Sequence, residues 1–364
     1  MAHAVAAGLV RRAHEVRVQT VALKGLPSRE LRDRVEIFRT FGFRRRADSC
    51  SIPEMAAYLA TSFLPSLGHI RKWKPDVIHA HFAVPTGALA LACRSLTGLP
   101  YVLTAHLGDL PGGNPEQTDS LFLVLNPLIR PIWKEAAAIS ASSSFAAGLA
   151  RTAYGVHPSI ILNGIPMSGL APTPGPAARP TSLVAIGRFH PQKNFPWMIR
   201  SLKACDFPWR LHLIGDGSER TEIETAIQQS GLADRVDLLG WVSEQTMRDV
   251  LSRGDILLMP STSEGNPVAA IEALKQGLAI LGSDVGGLTD LIEDGSNGFA
   301  VSLKTPDAFQ AKLRQLCSDE KLLQQMKARS LEVAKRFDIE AIVDRFEEIL
   351  TRAARSADLR PKSV

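Results

Sequence analysis

The chain has 364 residues, 45 % of them apolar and 22 % charged, which suits a soluble globular protein long enough for two domains with a core each. Four widely spaced cysteines (Cys50, Cys93, Cys205, Cys317) form no CxxC pair, which excludes a disulfide framework or cysteine metal site and suits reduced thiols in the cytoplasm. No apolar run approaches the roughly 20 residues of a membrane span, and the first residues lack a secretory pattern.

The chain opens with Met1–Arg12, which predicts an amphipathic helix with Val5, Leu9 and Val10 on one side and Arg11-Arg12 at its end. A doubly wound α/β half normally opens with a strand and a glycine-rich turn, and neither precedes this helix. Strand-like runs follow at Glu15–Val21, Asp76–His81, Tyr101–His106, Ala138–Ser142 and Ser159–Asn163. Leu170–Pro180, rich in proline and alanine, reads as a linker. A second series comprises Leu183–Gly187, Arg210–Gly215, Val236–Gly240, Asp255–Pro260, Ala279–Ser283 and Gly298–Val301. Helices are expected around Pro306–Cys317, Glu320–Arg336 and Glu340–Ala354. Alternation of this kind signals α/β with parallel sheets. The expected domains are 1–165, a linker at 166–181, 182–338, and a closing helix and tail at 339–364. Ligands of such sheets sit at the carboxyl ends of strands, so a functional cleft is expected between the halves.

The formal charge of +5 is uneven. Residues 1–165 hold 18 basic against 11 acidic side chains, and the remainder 24 against 26. The excess is densest at Arg39, Arg44, Arg45 and Arg46 and again at Arg71, Lys72 and Lys74. Peripheral contact with an anionic membrane, or attraction to an anionic acceptor, is one reading, and a solvated basic surface is the other. No nucleic-acid recognition motif accompanies the charge, so nucleic acid is not expected as a partner.

The segment Ser263-Glu264-Gly265-Asn266-Pro267-Val268 through Glu272 lies between two runs that read as buried strands. Pro267 suits the start of a helix, whose N–H groups make a ready anion site. Glu264 falls in the preceding turn, where a mere capping role is the alternative. Glu272 falls on or beside the apolar face, where a buried carboxylate needs hydroxyl or N–H partners. Ribose hydroxyls would serve, and a weak pairing with Lys275 is the alternative. Gly187-Arg188-Phe189-His190-Pro191-Gln192-Lys193 follows the first strand of the second half, placing two cations to grip a diphosphate unless the loop is simply solvated. Gly215-Asp216-Gly217 and Ser283-Asp284-Val285-Gly286-Gly287 add glycine turns at two further strand ends, which let backbone approach a ligand. In the first half, His79 reads as a structural group, whereas His106, leading into a Gly-Asp turn, is the better candidate for a reacting group. His79-Ala80-His81 lacks a third ligand at suitable spacing, so no metal site is expected.

Together these motifs resemble the retaining glycosyltransferase family 4, of GT-B architecture with two facing Rossmann-like domains. The likeness is carried by Gly-Arg-Phe-x-Pro-Gln-Lys-Asn at 187–194, Gly-Asp-Gly at 215–217, Leu-Gly-Trp-Val at 239–242, Ser-Glu-Gly-Asn-Pro through Glu272, and Ser-Asp-Val-Gly-Gly at 283–287. Asp-Val-Ile-His-Ala-His at 76–81, Thr-Ala-His-Leu-Gly-Asp at 104–109 and Leu-Asn-Gly-Ile at 162–165 carry it in the first half. The resemblance implies sugar transfer from a nucleotide-diphosphate donor to a glycan or lipid-linked acceptor, without metal or cofactor. It implies that Arg188 and Lys193 bind the diphosphate beside Gly187 and Gly217, and that Glu264 contacts the transferred sugar. Backbone from Gly265 through Asn266 and Pro267 to Val268 would help hold sugar and phosphate. Glu272 would hold the ribose, Val242 would approach the base, and His106 would lie near the sugar's reacting face. Three departures stand out. The family's opening strand and glycine-rich loop are absent before Met1, so the chain is expected to be N-terminally truncated. Asn266 replaces a common aromatic, and Pro166 a frequent acid. A nucleotide-sugar epimerase or hydrolase of the same fold, and a donor-binding protein without turnover, are the competing readings.

Overall fold

The computed structural model describes residues 1–44, 50–113, 126–171, 173 and 180–358. Arg45, Arg46 and most of the linker segment Leu170–Pro180 therefore lie outside the described residues. The chain divides into two compact units, Met1–Leu162 with Ile339–Val364, and Asn163–Asp338. In chain order the first stretch carries α1 (Ala2–Arg11), β1 (Arg17–Val21), β2 (Arg29–Arg32), β3 (Val35–Thr40), α2 (Ile52–Trp73), β4 (Ile78–His81), α3 (Ala88–Thr97) and β5 (Tyr101–Ala105). A helix over 126–134, α4, precedes β6 (Ala138–Ala141), α5 (Ser144–Tyr154) and β7 (Ser159–Ile160). Then follow β8 (Thr181–Ile186), α6 (Phe195–Leu202), β9 (Trp209–Ile214), α7 (Arg220–Ser230), β10 (Val236–Gly240), α8 (Glu244–Ser252) and β11 (Ile256–Met259). The chain closes with α9 (Val268–Lys275), β12 (Ala279–Ser283), β13 (Gly298–Val301), α10 (Pro306–Ser318), α11 (Glu320–Ala334) and α12 (Ile339–Asp358).

The first unit departs from a single doubly wound sheet. Among the described residues it holds two sheets, β1-β3-β2 and the all-parallel β4-β5-β6-β7. In the smaller sheet β2 runs antiparallel to β3, with Arg32 paired to Val35. Only Asp33 and Arg34 separate these strands, both at positive φ (50° and 63°). That is the two-residue hairpin turn normally written Asn-Gly or Asp-Gly. With Arg in the second position, and charges alternating along Arg29–Thr40, this hairpin carried no turn signal in the sequence.

The closing segment returns to the first unit. Ile339, Ile342, Val343, Phe346, Ile349, Leu350 and Ala353 repeat at three and four residues and bury against Val5 and Leu9 of α1. Gly8 permits the close approach, since a Cβ there would lie 2.5 Å from a Val343 methyl. Arg12 adds ion pairs to Glu340 and Asp344.

The second unit is built on one six-stranded sheet of order β10-β9-β8-β11-β12-β13, with every pair parallel. Its central strands read as continuous apolar runs because both faces are covered; all six residues of β8 and all four of β11 are buried. The strand order reverses between β8 and β11, the place where such sheets bind ligands. A buried ion pair stiffens this centre. Lys327 of α11 meets Asp255 at 2.7 Å, and the other Asp255 oxygen accepts the Ser182 N–H at 3.0 Å.

Candidate functional site

The loops leaving β8 and β11 meet at that reversal point. After β8 the chain runs through Gly187, exposed Arg188 and buried Phe189 into a short 3-10 turn, Pro191–Lys193. Asn194 stands in the left-handed region at φ 56°, which turns the chain into α6. Lys193 is folded back over Gly187, where an added Cβ would lie 3.0 Å from its stem. Its Nζ reaches Glu264 Oε1 at 2.5 Å. The same oxygen accepts the Ser261 hydroxyl at 2.6 Å. Glu264 is 5 % exposed, so its charge is held by a cation and a hydroxyl instead of water.

Backbone contacts fix these loops to one another. Thr262 N–H donates to the Gln192 carbonyl at 2.8 Å, and Gln192 Nε2 donates to the Ser263 carbonyl at 2.7 Å. Gly287 N–H donates to the Glu264 carbonyl at 2.8 Å, bringing the loop after β12 against the same turn. Gly286, at φ 54°, is required there, because a Cβ would fall 2.2 Å from that carbonyl. On the other side, a Cβ at Gly215 would fall 1.9 Å from the Gly187 carbonyl, and one at Gly217 2.5 Å from the Phe189 carbonyl. Gly215 N–H donates to the Gly240 carbonyl at 2.9 Å, which places the Trp241-Val242 turn beside it. Five successive strand ends thus converge.

Gly187, Lys193, Glu264 and Gly217 are therefore assembled in one place. Arg188 lies in the same loop with its side chain outward. Pro267 is the N-cap of α9, one position earlier than a first-turn proline, and Gly265 and Asn266 form the preceding turn. Asn266 is 6 % exposed; its Oδ1 accepts the Asn163 N–H at 2.9 Å and its carbonyl the Asn163 Nδ2 at 2.7 Å. The Asn266 Nδ2 has no partner. Val268 is exposed on the first turn of α9. Glu272 is half-buried one turn further along α9, and burial pushes its carboxyl pKa up, against the lowering effect of Lys275. The alternative of a Glu272–Lys275 bridge is not realised, since the Lys275 ammonium donates to the Pro166 carbonyl at 2.8 Å.

His106 belongs to the first unit, where it follows β5 and opens a short 3-10 turn. Its ring stacks on Phe82 at 4.2 Å between centroids, and its Nε2 lies 3.2 Å from His81 Nδ1. His79 Nε2 lies 2.7 Å from the Thr104 hydroxyl, which in turn pairs with Ser140 at 2.7 Å. Burial lowers His79 and His106 to about 4 and holds His81 well below its ordinary value, so all three rings are neutral near pH 7. Asp109 shapes this turn. Its two oxygens accept the Ala83 N–H at 2.9 Å and the His106 N–H at 3.0 Å. Burial nevertheless raises it to about 7. Sequence reasoning weighed His81 only as half of a metal pair and did not single out Ser261 or Asp109. The Gly-Asp turn after His106 was the one available signal, since Asp is the residue that caps such a turn.

Comparison with known proteins identifies the family. The family model described as Glycosyltransferase Family 4 matches residues 1–168, and that described as Glycosyl transferases group 1 matches residues 174–333. The chain is similar to the 2-deoxystreptamine N-acetyl-D-glucosaminyltransferase of Streptomyces fradiae, at 27 % identity over 85 % of this chain and 79 % of that protein. Among solved structures it is similar to sucrose-phosphate synthase from Thermosynechococcus elongatus, with TM-score 0.83 and 17 % identity over 97 % of this chain and 92 % of that one. It also resembles Anabaena HepE in complex with UDP-glucose, with TM-score 0.72 and 17 % identity over 92 % and 99 % of the two chains. With its α/β, GT-B fold, the chain belongs to the group 1, family 4 glycosyltransferases.

Proposed function

We propose that this glycosyltransferase moves a sugar from a nucleoside-diphosphate donor to a hydroxyl of a polysaccharide or lipid-linked acceptor, with retention of anomeric configuration and without a metal. The observation that carries the reading is the Lys193–Glu264 pair, held at the reversal point of the second sheet among closely packed glycine turns. HepE, a structural relative, is described in complex with UDP-glucose, which supports a nucleotide-sugar donor.

The chemistry follows from charge. As the bond from the anomeric carbon to the diphosphate breaks, its electron pair stays on the bridging oxygen. Lys193, already held over Gly187, and Arg188, swung in from the same loop, stabilise that oxygen, the role a metal ion plays elsewhere. The acceptor oxygen bonds to the anomeric carbon on the departing face and passes its proton to a donor phosphate oxygen. Neither glutamate needs to be a nucleophile, unlike the carboxylate pair of a retaining glycosidase. Glu264, anchored by Ser261 and Lys193, is assigned to sugar hydroxyls, and Glu272 to ribose hydroxyls. Turns around Gly187, Gly217, Val242 and Gly265–Val268 supply backbone contacts. Acceptor recognition is assigned to the first unit, and His106 to the reacting face of the sugar.

The test is product analysis. Purified protein is incubated with a panel of nucleotide sugars and with glycan or polyprenyl-phosphate-sugar acceptors, and the new linkage is read by NMR. Retained configuration with metal chelated supports the reading. Inverted configuration overturns retention, complete interconversion of donor without acceptor favours an epimerase, and donor binding without any product favours the non-catalytic reading.

A further inference from the structure

The helix α2 is apolar on two sides. Its inner side packs Tyr58, Leu67 and their neighbours against Leu89 and Cys93 of α3. A surface helix normally shows charged residues on the other side. Here the outward residues, stepping by four, are Ile52, Ala56, Ala60 and Leu64, all exposed. Ile52 is 55 % and Leu64 73 % exposed. Between Glu54 and Arg71 the helix carries no Asp, Glu, Lys or Arg, and Glu54 is occupied as the cap of Ser51.

The turn after β3 lies alongside. The Thr61 hydroxyl donates to the Phe41 carbonyl, and a Cβ at Gly42 would lie 3.6 Å from Tyr58 Cβ. Phe41 and Phe43 present their rings outward at 56 % and 66 % exposure, edge to face at 4.4 Å. Phe43 stands at φ 55°, a backbone state that a bulky residue rarely adopts. Two large aromatics are thus held in water beside an apolar stripe. The last turn of α2 ends in exposed Arg71 and Lys72, with exposed Lys74 at its cap.

We propose that the outer face of α2, with Phe41 and Phe43, docks on the surface of an anionic lipid bilayer, the apolar side chains entering the headgroup–acyl boundary and Arg71, Lys72 and Lys74 meeting the headgroups. The arrangement is that of an interfacial helix, an apolar stripe flanked by cations, and no helix among the described residues is long and apolar enough to cross a membrane. Charge complementarity selects this occupant, because the end of the patch carries Arg71, Lys72 and Lys74 and residues 1–165 hold 18 basic against 11 acidic side chains.

The test is co-sedimentation of the full chain with vesicles of phosphatidylcholine alone and with vesicles containing phosphatidylglycerol. The expected result is binding to the anionic vesicles only, weakened by salt. Phe43→Glu with Leu64→Glu should weaken partition by about tenfold or more, and Arg71→Gln with Lys72→Gln by a smaller factor. These side chains are exposed, so the variants keep the fold, and an unchanged thermal shift with a nucleotide sugar confirms it independently of transfer. Parent protein that ignores anionic vesicles, or patch variants that bind as tightly as the parent, overturn the proposal. A parent dimer that the patch variants dissociate, without vesicle binding, assigns the face to a second copy and also overturns it.

Discussion

Replacing Lys193 by Met keeps the stem over Gly187 and removes only the ammonium. Two losses are expected. In the free protein, Glu264 at 5 % exposure keeps the Ser261 hydroxyl but loses its cation at 2.5 Å. Orphaning a fully buried charge costs roughly 3–5 kcal/mol, and the 18 % exposure of the Lys193 side chain puts this site lower, at about 2–3 kcal/mol. In the reaction, the departing diphosphate loses a preorganised cation, worth roughly 3 kcal/mol or about 100-fold in kcat. Urea unfolding and nucleoside-diphosphate release measure the two losses separately. Adding Glu264→Gln to Lys193→Met removes the orphaned charge, so stability should recover while turnover stays low. Turnover that recovers together with stability would show the lysine to be a structural prop for Glu264. Wild-type turnover in the single variant would refute the assignment of this cation to the leaving group.

Four further outcomes are expected. Glu272→Ala should lower turnover at least about tenfold, the loss of one charge-assisted contact, read in steady-state kinetics over a range of donor concentrations. Gly286→Ala drives a methyl into the Glu264 carbonyl from a left-handed backbone, so donor binding by calorimetry should weaken while circular dichroism stays native. Lys327→Ala leaves Asp255 buried beneath α11 and should cost about 3–5 kcal/mol in urea unfolding; Lys327→Met with Asp255→Asn should recover much of that loss. For pH, His79 and His106 sit at about 4, below their unfolded value. Their contribution is present above about pH 6.5 and is lost as pH falls toward 4. Asp109, raised to about 7, acts oppositely, favouring the fold at low pH and losing that contribution as pH rises toward 7. Three lowered histidines outweigh one raised carboxyl, so stability should increase between about pH 4 and 6.5. His79→Gln should flatten that slope in urea titrations at successive pH values.

The second unit was more legible than the first for a physical reason. Its central strands are covered on both faces, so β8, β11 and β12 appear as largely apolar runs. Each run fell within a residue or two of its observed bounds. In the first unit, β2 and β3 form a partly exposed hairpin whose charges read as a solvated surface. Its turn hides behind Asp33-Arg34, where two non-glycine residues take up left-handed backbone. The helix α2 was equally quiet, because apolar residues on two sides give no single-sided periodicity. Return of α12 to the first unit could not be read locally. Its stripe is plain in the sequence, but the partner is α1, more than 300 residues earlier.

At the site, the sequence revealed residue types and strand ends, whereas the structure supplied the pairing. Two glutamates in one segment, Glu264 in the turn and Glu272 in α9, invite an acid–base reading, since carboxylates near each other commonly divide such work. On the proposed reading the geometry of Glu264 favours a holding role instead, since its Oε1 accepts from the Lys193 ammonium at 2.5 Å and from the Ser261 hydroxyl at 2.6 Å. Glu272 has the opposite environment, half-buried with its lysine turned to Pro166, and burial raises its pKa. It therefore gains most from ligand hydroxyls that would satisfy it, and donor binding should lower its pKa again. A carboxyl that instead titrated at the same pH in the free and donor-bound protein, followed by carbon NMR of labelled glutamate, would remove Glu272 from the donor contacts.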